Sequence, residues 1–572
     1  MAKKLGELLI EKGLVKPDDL ARALQEQQGS GEFLGTALVR LGILKEEQLL
    51  KALSEQFAMP FVDLRAMSVD PEVIKLVPAK FVSHHKMIPL KRQGKTLTVA
   101  ISNPMIRWPL DELALQLGYE IEPVLASESE IVGAIRRHYG VGADTVERIM
   151  AESSDAVQSR TQEQAQDIGE TGSTEEASVI KLVNQILREA VREGATDIHI
   201  EPFRDEMSLR YRVDGRLYDA AAPPDLKYLY QAIVSRIKIM AGLDIVERRL
   251  PQDGRARIRV GEDELDLRIS ILPTLYGENM VIRLLPASMV LGMDRLGFAP
   301  DSQDLATLER LIQLPHGILF VTGPTGSGKT TTLYACLNRL NGRDRKLVTI
   351  EDPIEYELRG ITQIQVNAKI NLTFARALRN ILRHDPNVVM IGEVRDAETA
   401  EIAIQSALTG HLVFSTLHTN NAAGGIARLV DMGIEPYLVA SAVEAFIAQR
   451  LVRLICQSCR EEVAPEIAAA ATKLPAAELQ SRMGSGLKFY RGKGCPACRQ
   501  TGYKGRSAIY EILVMAPALR AMILSKASAP EIEQRAVELG MHTLLDDGWS
   551  KVRQGVTTLE EIFRVTRLEG HA

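Results

Sequence analysis

The chain has 572 residues, 45% of them hydrophobic and 25% charged, with 69 Lys and Arg set against 74 Asp and Glu. This is the balance of an ordinary globular protein, long enough for about three to four domains, and it gives no bulk electrostatic drive toward nucleic acid or an anionic membrane. No apolar run reaches the roughly 18 residues of a membrane span, and Met1-Ala2-Lys3-Lys4 leads into an amphipathic pattern and not the apolar core of a secretory signal. A cytoplasmic chain is therefore expected, with any membrane association made through a partner.

The first predicted elements form an internal repeat. Leu5-Gly6 recurs as Leu34-Gly35, Gly13-Leu14-Val15 as Gly42-Ile43-Leu44, and Leu20, Leu24 and Gln27 as Leu49, Leu53 and Gln56, always 29 residues apart. In each copy a short helix ends at a glycine, where positive φ is easily met, and a second helix follows with apolar residues four apart. Each copy reads as a helix hairpin. Residues up to about 140 complete this N-terminal domain with mixed helix and strand signals.

Residues 141–177 contain ESSDAVQSRTQEQAQDIGETGSTEE, which lacks aromatics and cannot bury enough apolar surface to offset chain entropy. They read as a linker. Residues 178–290 open with the helical pattern Val179, Leu182, Val183, Ile186, Leu187, Ala190 and Val191. The strand-like segments DIHIEP, SLRYRVDGRL and ARIRV follow, with Asp-Gly turn signals. This is a small α/β domain.

Beyond 291, buried strands alternate with helices, the pattern of a parallel sheet. Gly323-Pro324-Thr325-Gly326-Ser327-Gly328-Lys329-Thr330 follows the apolar strand Ile318–Val321 and precedes a helical run beginning Thr331-Thr332. That is the strand–loop–helix setting of a P-loop. Its backbone N–H groups cradle phosphates, Lys329 reaches the β- and γ-phosphates, and Thr330 ligates Mg²⁺. Two acidic segments stand at strand ends, Glu351-Asp352-Pro353-Ile354-Glu355 and Gly392-Glu393-Val394-Arg395-Asp396. One carboxylate is needed for the Mg²⁺ shell and another to polarise the attacking water. Glu355 and Glu393 suit these tasks, while Glu351 and Asp396 read more simply as solvated loop charges. A third segment, Thr409 to Thr419, is a strand with His411 and His418 at its ends. A lone histidine is usually structural, whereas two at one edge of the core sheet would suit phosphate sensing.

Four of the five cysteines form Cys456-x₂-Cys459 and Cys495-x₂-Cys498, separated by 35 residues. Four thiolates at this spacing suit a closed structural Zn²⁺ site; a reducible disulfide pair or unpaired core cysteines are the other readings. The long gap implies an inserted subdomain, here 450–510. Cys336, in the P-loop helix, reads as core.

The order of motifs is identifiable. GPTGSGKTTTLY, IEDPIEY, LRNILRHDPNVVMIGEVRD and TGHLVFSTLHT resemble those of the secretion-system and type IV pilus assembly ATPases, and ATDIHIEP and RRLPQDGRARI resemble that family's second N-terminal domain. The resemblance implies a multidomain α/β chain with a helical-repeat N-terminal domain, a PAS-like second domain and a RecA-like core carrying a tetra-cysteine zinc subdomain. It implies Glu355 as the water-activating residue, Glu393 as the Walker B glutamate and His411 and His418 as a "His box". Arginine fingers come from the second domain, with Arg210, Arg212 and Arg255 as candidates. The cofactors implied are ATP, Mg²⁺ and Zn²⁺. The assembly implied is a homohexamer working on an inner-membrane platform protein, with no nucleic acid expected. The tetra-cysteine element favours assembly over retraction. Asn387 departs from the family's Asp-Pro-Asp before the Walker B strand. A DNA-uptake or conjugation motor and a cyclic-dinucleotide sensor with an inactive core are the rival readings.

The N-terminal repeat resembles the tandem motif of domains on such ATPases that bind cyclic di-GMP, including the five-residue spacer after Gln27. The family's leading arginines are replaced by Lys4 and Phe33, and neither can both stack on a base and fork onto phosphate. Gly6, Gly13, Gly35 and Gly42 would admit a ligand close to the backbone, with Gln27 and Gln56 bonding to it. A docking role for a membrane-side partner is the other reading.

Overall fold

The computed structural model describes residues 5–30, 33–65, 67, 69–105, 107–140, 142–147, 149, 174–261, 263–286, 292–299, 302–470 and 488–566. Lys4, the spacer residues Gly31 and Glu32, most of the expected linker (151–173) and the middle of the inserted segment (471–487) lie outside them. The chain forms two compact units, residues 1–260 with 266–284, and residues 285–572 with 261–265.

In the first unit the repeat forms helices Leu5–Glu11, Pro17–Ser30, Leu34–Arg40 and Glu46–Phe57. Gly13 and Gly42 take left-handed φ of 67° and 69° after the first helix of each copy. Gly6 and Gly35 serve packing. A Cβ would lie 3.0 Å from Leu20 on Gly6 and 2.9 Å from Leu49 on Gly35, so each glycine lets the two helices of its copy close up. The contacts repeat with the 29-residue offset. Strands β1 (Met87–Gln93), β2 (Thr96–Ile101) and β3 (Glu120–Leu125) then form a three-stranded sheet. Helices Ala79–His85, Trp108–Leu117 and Glu128–Tyr139 accompany it, and Val82, Leu97, Val99 and Ile131 are fully buried in the shared core. Burial continues into the expected linker at Ala143, Val146 and Ile149.

Helix Thr174–Arg192 buries Leu182, Val183, Ile186 and Leu187, the apolar face read from its periodicity. β4 (Asp197–Pro202), β5 (Met207–Val213), β6 (Arg216–Asp219), β7 (Gln252–Val260), β8 (Asp263–Thr274) and β9 (Gly277–Pro286) form a sheet of order β6-β5-β4-β9-β8-β7. Asp214-Gly215, with φ of 48° and 84°, joins β5 to β6 as a two-residue hairpin turn.

The second unit contains β10 (Gly317–Thr322), β11 (Leu347–Glu351), β12 (Thr362–Gln365), β13 (Val388–Ile391), β14 (Leu412–Leu417), β15 (Val443–Ile455), β16 (Arg460–Val463), β17 (Phe489–Gly492) and β18 (Tyr503–Val514). Seven form one sheet of order β12-β11-β13-β14-β10-β15-β18, parallel throughout except where β18 runs against β15. Every residue of β10, β11, β13 and β14 is buried. Strands covered on both faces read as unbroken apolar runs for this reason. In such a sheet the ligand crevice lies at the carboxyl ends of the strands. β16 and β17 form a separate two-stranded sheet within the inserted segment.

Candidate functional site

The P-loop leaves the carboxyl end of β10 and enters helix Lys329–Leu340. Gly328 caps that helix with φ 88°, and a Cβ there would lie 2.8 Å from Gln449 Nε2, so both backbone angle and space call for glycine. Pro324, Thr325 and Gly326 are exposed, Gly323 and Ser327 are buried, and Gly328, Thr330 and Thr331 are half-buried. Lys329 is folded back onto the loop, its Nζ donating to the carbonyls of Gly323 at 2.8 Å and Pro324 at 3.0 Å. Burial pulls its pKa down to about 8, with Glu393 opposing the change and Arg450 adding to it. An ammonium group held by the loop's own carbonyls beside open, exposed glycine backbone fits a cradle for phosphate.

At the end of β11, Glu351 is buried and accepts from the hydroxyls of Tyr334 and of Thr349 (2.6 Å) and from Gln363 Nε2 (3.2 Å). Glu351 is therefore not the solvated loop charge its sequence position suggests. Burial raises the pKa of this carboxyl, and the three hydrogen bonds oppose the rise. Tyr334 also accepts from the backbone N–H of Glu355 at 3.3 Å. It thereby ties the P-loop helix to the segment that carries Glu355. Nothing in the motif singled out Tyr334. Its position four residues after Thr330, hence on the same helix face, was the available signal. Asp396 is also not a free loop charge: it caps helix Ala397–Leu408 by accepting from Thr399 N at 2.8 Å.

Glu393, beyond the end of β13, pairs with Arg395 and lies 3.3 Å from His418 Nε2. His418 therefore stands at the carboxyl edge of the sheet with the P-loop and the acidic segments. His411 does not. It precedes β14, its carbonyl accepts from Gly317 N at the start of β10, and its Nδ1 is 3.0 Å from Ser406 O. Six residues of strand lie between the two histidines, which puts them about 23 Å apart at ~3.3 Å per residue step. The pair does not share an edge, and His411 closes the turn into β14. Asn387 also lies at the amino end of its strand, where its Oδ1 accepts from Lys346 N at 2.7 Å, away from the nucleotide edge.

The candidate finger arginines belong to the other unit. Arg210 and Arg212 alternate along β5 and share one face of it. Arg210 Nε donates to Glu201 at 2.9 Å, and Arg212 donates to Gly215 O at 3.2 Å with Asp197 3.6 Å away. Arg255 is exposed on β7.

The four cysteines come together beyond the ends of β15 and β17. All four Sγ atoms lie within 4.8 Å of one another. Cys456–Cys495 and Cys459–Cys498 are 3.8 Å apart and Cys495–Cys498 3.7 Å. Four sulfurs about 2.3 Å from a tetrahedral Zn²⁺ stand about 3.8 Å apart, so the cluster fits that ion. Disulfides, with sulfurs about 2 Å apart, are absent from it. Gly502 N donates to Cys498 Sγ at 3.3 Å, a second-layer contact of the kind that steadies thiolate ligands. Cys336 is buried, as its helix position implied.

In the N-terminal repeat, Phe33 is 55% exposed and Gln27 and Gln56 are half-buried. Gly6 and Gly35 face leucine side chains, leaving Gly13 and Gly42 as the open glycines.

A parallel sheet with a P-loop at its carboxyl edge and carboxylates on the neighbouring strand ends defines a P-loop nucleotide hydrolase. Residues 172–564 match the family of the type II/IV secretion system protein, and residues 57–145 match the MshEN domain. The chain belongs to the type II/IV secretion system protein family. It is 44% identical over 567 residues to the type IV pilus assembly ATPase PilB of Myxococcus xanthus, covering 98% of each chain. It is equally 44% identical over 570 residues to the type II secretion system protein E of Xanthomonas campestris, again covering 98% of each. Among solved structures, the ATPase DotB of Yersinia pseudotuberculosis shares the fold, with a TM-score of 0.50, 22% identity, and 71% of this chain and 96% of that one covered.

Proposed function

We propose that the chain is a motor ATPase that hydrolyses Mg-ATP to drive assembly of a type IV pilus or a type II secretion pseudopilus. The observation that carries this reading is the convergence of Lys329, Glu393 and His418, with the Tyr334-tethered segment of Glu355, at the carboxyl edge of one parallel sheet. In this reading the P-loop and Lys329 hold the phosphates, Thr330 and Glu393 serve the Mg²⁺ shell, and Glu355 takes the proton of the attacking water. Fingers from among Arg210, Arg212 and Arg255 complete the site in a homohexamer. Residues 1–140, 178–290 and 291–572 act as an N-terminal domain, a second domain and the motor core, with Zn²⁺ bracing the subdomain at 450–510. Among the described residues no helix is long and apolar enough to cross a membrane, which suits a cytoplasmic motor held at the inner membrane by a platform protein. Cyclic di-GMP bound at the N-terminal repeat regulates it, with Phe33 and the open Gly13 and Gly42 turns offered to the ligand.

Glu355→Gln tests the assignment of roles. The variant should bind ATP with wild-type affinity while hydrolysis falls to background, and cells carrying it in place of the wild type should lose the pilus or secreted product. Normal hydrolysis by the variant would remove Glu355 as the base.

A further inference from the structure

The register between β10 and β15 places one further charged side chain beside the phosphate cradle. Thr322, the last residue of β10, pairs with Ala448, so Gln449 and Arg450 run on past the strand end alongside the P-loop. Gln449 is buried; its Oε1 accepts from Thr332 Oγ1 at 2.8 Å, and its Nε2 occupies the space a side chain on Gly328 would need. Arg450 is 8% exposed. Its Nη1 donates to Gln449 O at 3.0 Å, its Nη2 donates to Asn420 O at 2.5 Å, and a Cβ on Gly323 would lie 3.1 Å from Nη1. The two residues therefore touch both ends of the P-loop, and Arg450 also reaches the segment just after His418.

The partners of Arg450 are carbonyls. Among the described residues no carboxylate forms an ion pair with it. The acid that acts on it, Glu511, offsets part of its charge from beyond ion-pair distance, and its own oxygens accept from the backbone N–H groups of Ala422 (2.8 Å) and Leu544 (3.3 Å). Arg450 and Lys329 are thus two buried cations close enough to repel, with Glu393 as the counter-charge acting on Lys329. Buried charges are ordinarily paired, because desolvation without a counter-charge is costly. A cradle built for phosphate adds to the counter-charge of Glu511 and Glu393 when it is filled.

Resting on the reading of 323–330 as the ATP site, we propose that Arg450 is a positioning residue of that site. It ties the segment after His418 to the start of the P-loop and adds a fixed positive charge that nucleotide phosphates compensate.

The test uses the full-length protein with wild type, Lys329→Ala, Arg450→Gln and Arg450→Lys, measuring Mg-ADP affinity, KM and kcat for Mg-ATP, and melting temperature with and without Mg-ADP. Arg450→Gln should weaken Mg-ADP binding and raise KM by about tenfold, as loss of a charge-assisted contribution does, and should shrink the nucleotide-induced rise in melting temperature. Arg450→Lys keeps the charge but loses the fork between two carbonyls. It should stay within about threefold of wild-type affinity while kcat falls. Wild-type affinity and KM in Arg450→Gln, or a folded Arg450→Lys as impaired in binding as Arg450→Gln, would overturn the proposal. If Arg450→Gln does not fold, the Lys variant decides alone, and loss of nucleotide affinity in it counts against the proposal. A wild type that neither binds nor hydrolyses ATP refutes the site itself, an outcome distinct from all of these.

Discussion

Tyr334 is the side chain on which the geometry around Glu355 turns. Its hydroxyl donates to the buried Glu351 and accepts from Glu355 N, so it fixes where the proposed base begins. Glu351 keeps Thr349 and Gln363 as donors if that hydroxyl is lost, so the fold should tolerate its removal. Tyr334→Phe should lower kcat about tenfold, the scale of one hydrogen bond of about 1–1.5 kcal/mol, with little change in KM. Steady-state kinetics decide it, and an unchanged kcat would leave Tyr334 as core. The P-loop was legible because its glycines, lysine and threonine are all local in sequence. The environment of Glu351 was not, because its partners come from positions 334, 349 and 363 and meet only when helix and sheet pack. The placement of His411 depended on counting the strand between the two histidines.

At the scale of elements, the long antiparallel pair β15–β18 carries both the cysteine cluster and a buried ion cluster. Glu561, on helix Leu559–Thr566, is fully buried and accepts from Arg453 of β15 at 2.8 Å and from Arg564 at 2.7 Å. Burial alone would raise its pKa. The hydrogen bonds from Arg564, from the Arg453 side chain and from Arg453 N outweigh it and bring the carboxyl to about 2. A carboxyl depressed in the folded state stabilises above its unfolded pKa of about 4.3 and loses that contribution as pH falls toward 2, here about 3 kcal/mol. Glu561→Gln should therefore lower the melting temperature at pH 7 and flatten its decline between about pH 4.5 and 2. Equal pH profiles for variant and wild type would contradict the assignment. The cysteine cluster gives a parallel expectation. Freshly purified reduced protein should hold about one zinc per chain, and replacing Cys456 and Cys459 with serine should release it and destabilise the second unit, because the binding free energy of a structural site adds to folding. Metal analysis finding none would refute the site. The paired CxxC spacing announced the four ligands, but their convergence beyond β15 and β17 required the sheet.

For the whole molecule, the sequence carried the class of motor further than the packing that supports it. The alternating apolar strands gave a parallel sheet, and the structure orders seven strands with β10 between β14 and β15. The 29-residue repeat gave two helix hairpins. Its glycines divide into helix-packing and turn positions only once Leu20 and Leu49 are seen against Gly6 and Gly35. Every role assigned to the site residues depends on turnover of ATP at the P-loop. The most direct measurement is phosphate release from Mg-ATP by the purified 572-residue chain beside Lys329→Ala. Losing a buried phosphate partner costs about 3–5 kcal/mol, so turnover by the wild type should fall at least about a hundredfold in the variant, to background. Equal turnover by the two proteins, or none by a folded wild type at saturating Mg-ATP, would contradict the account.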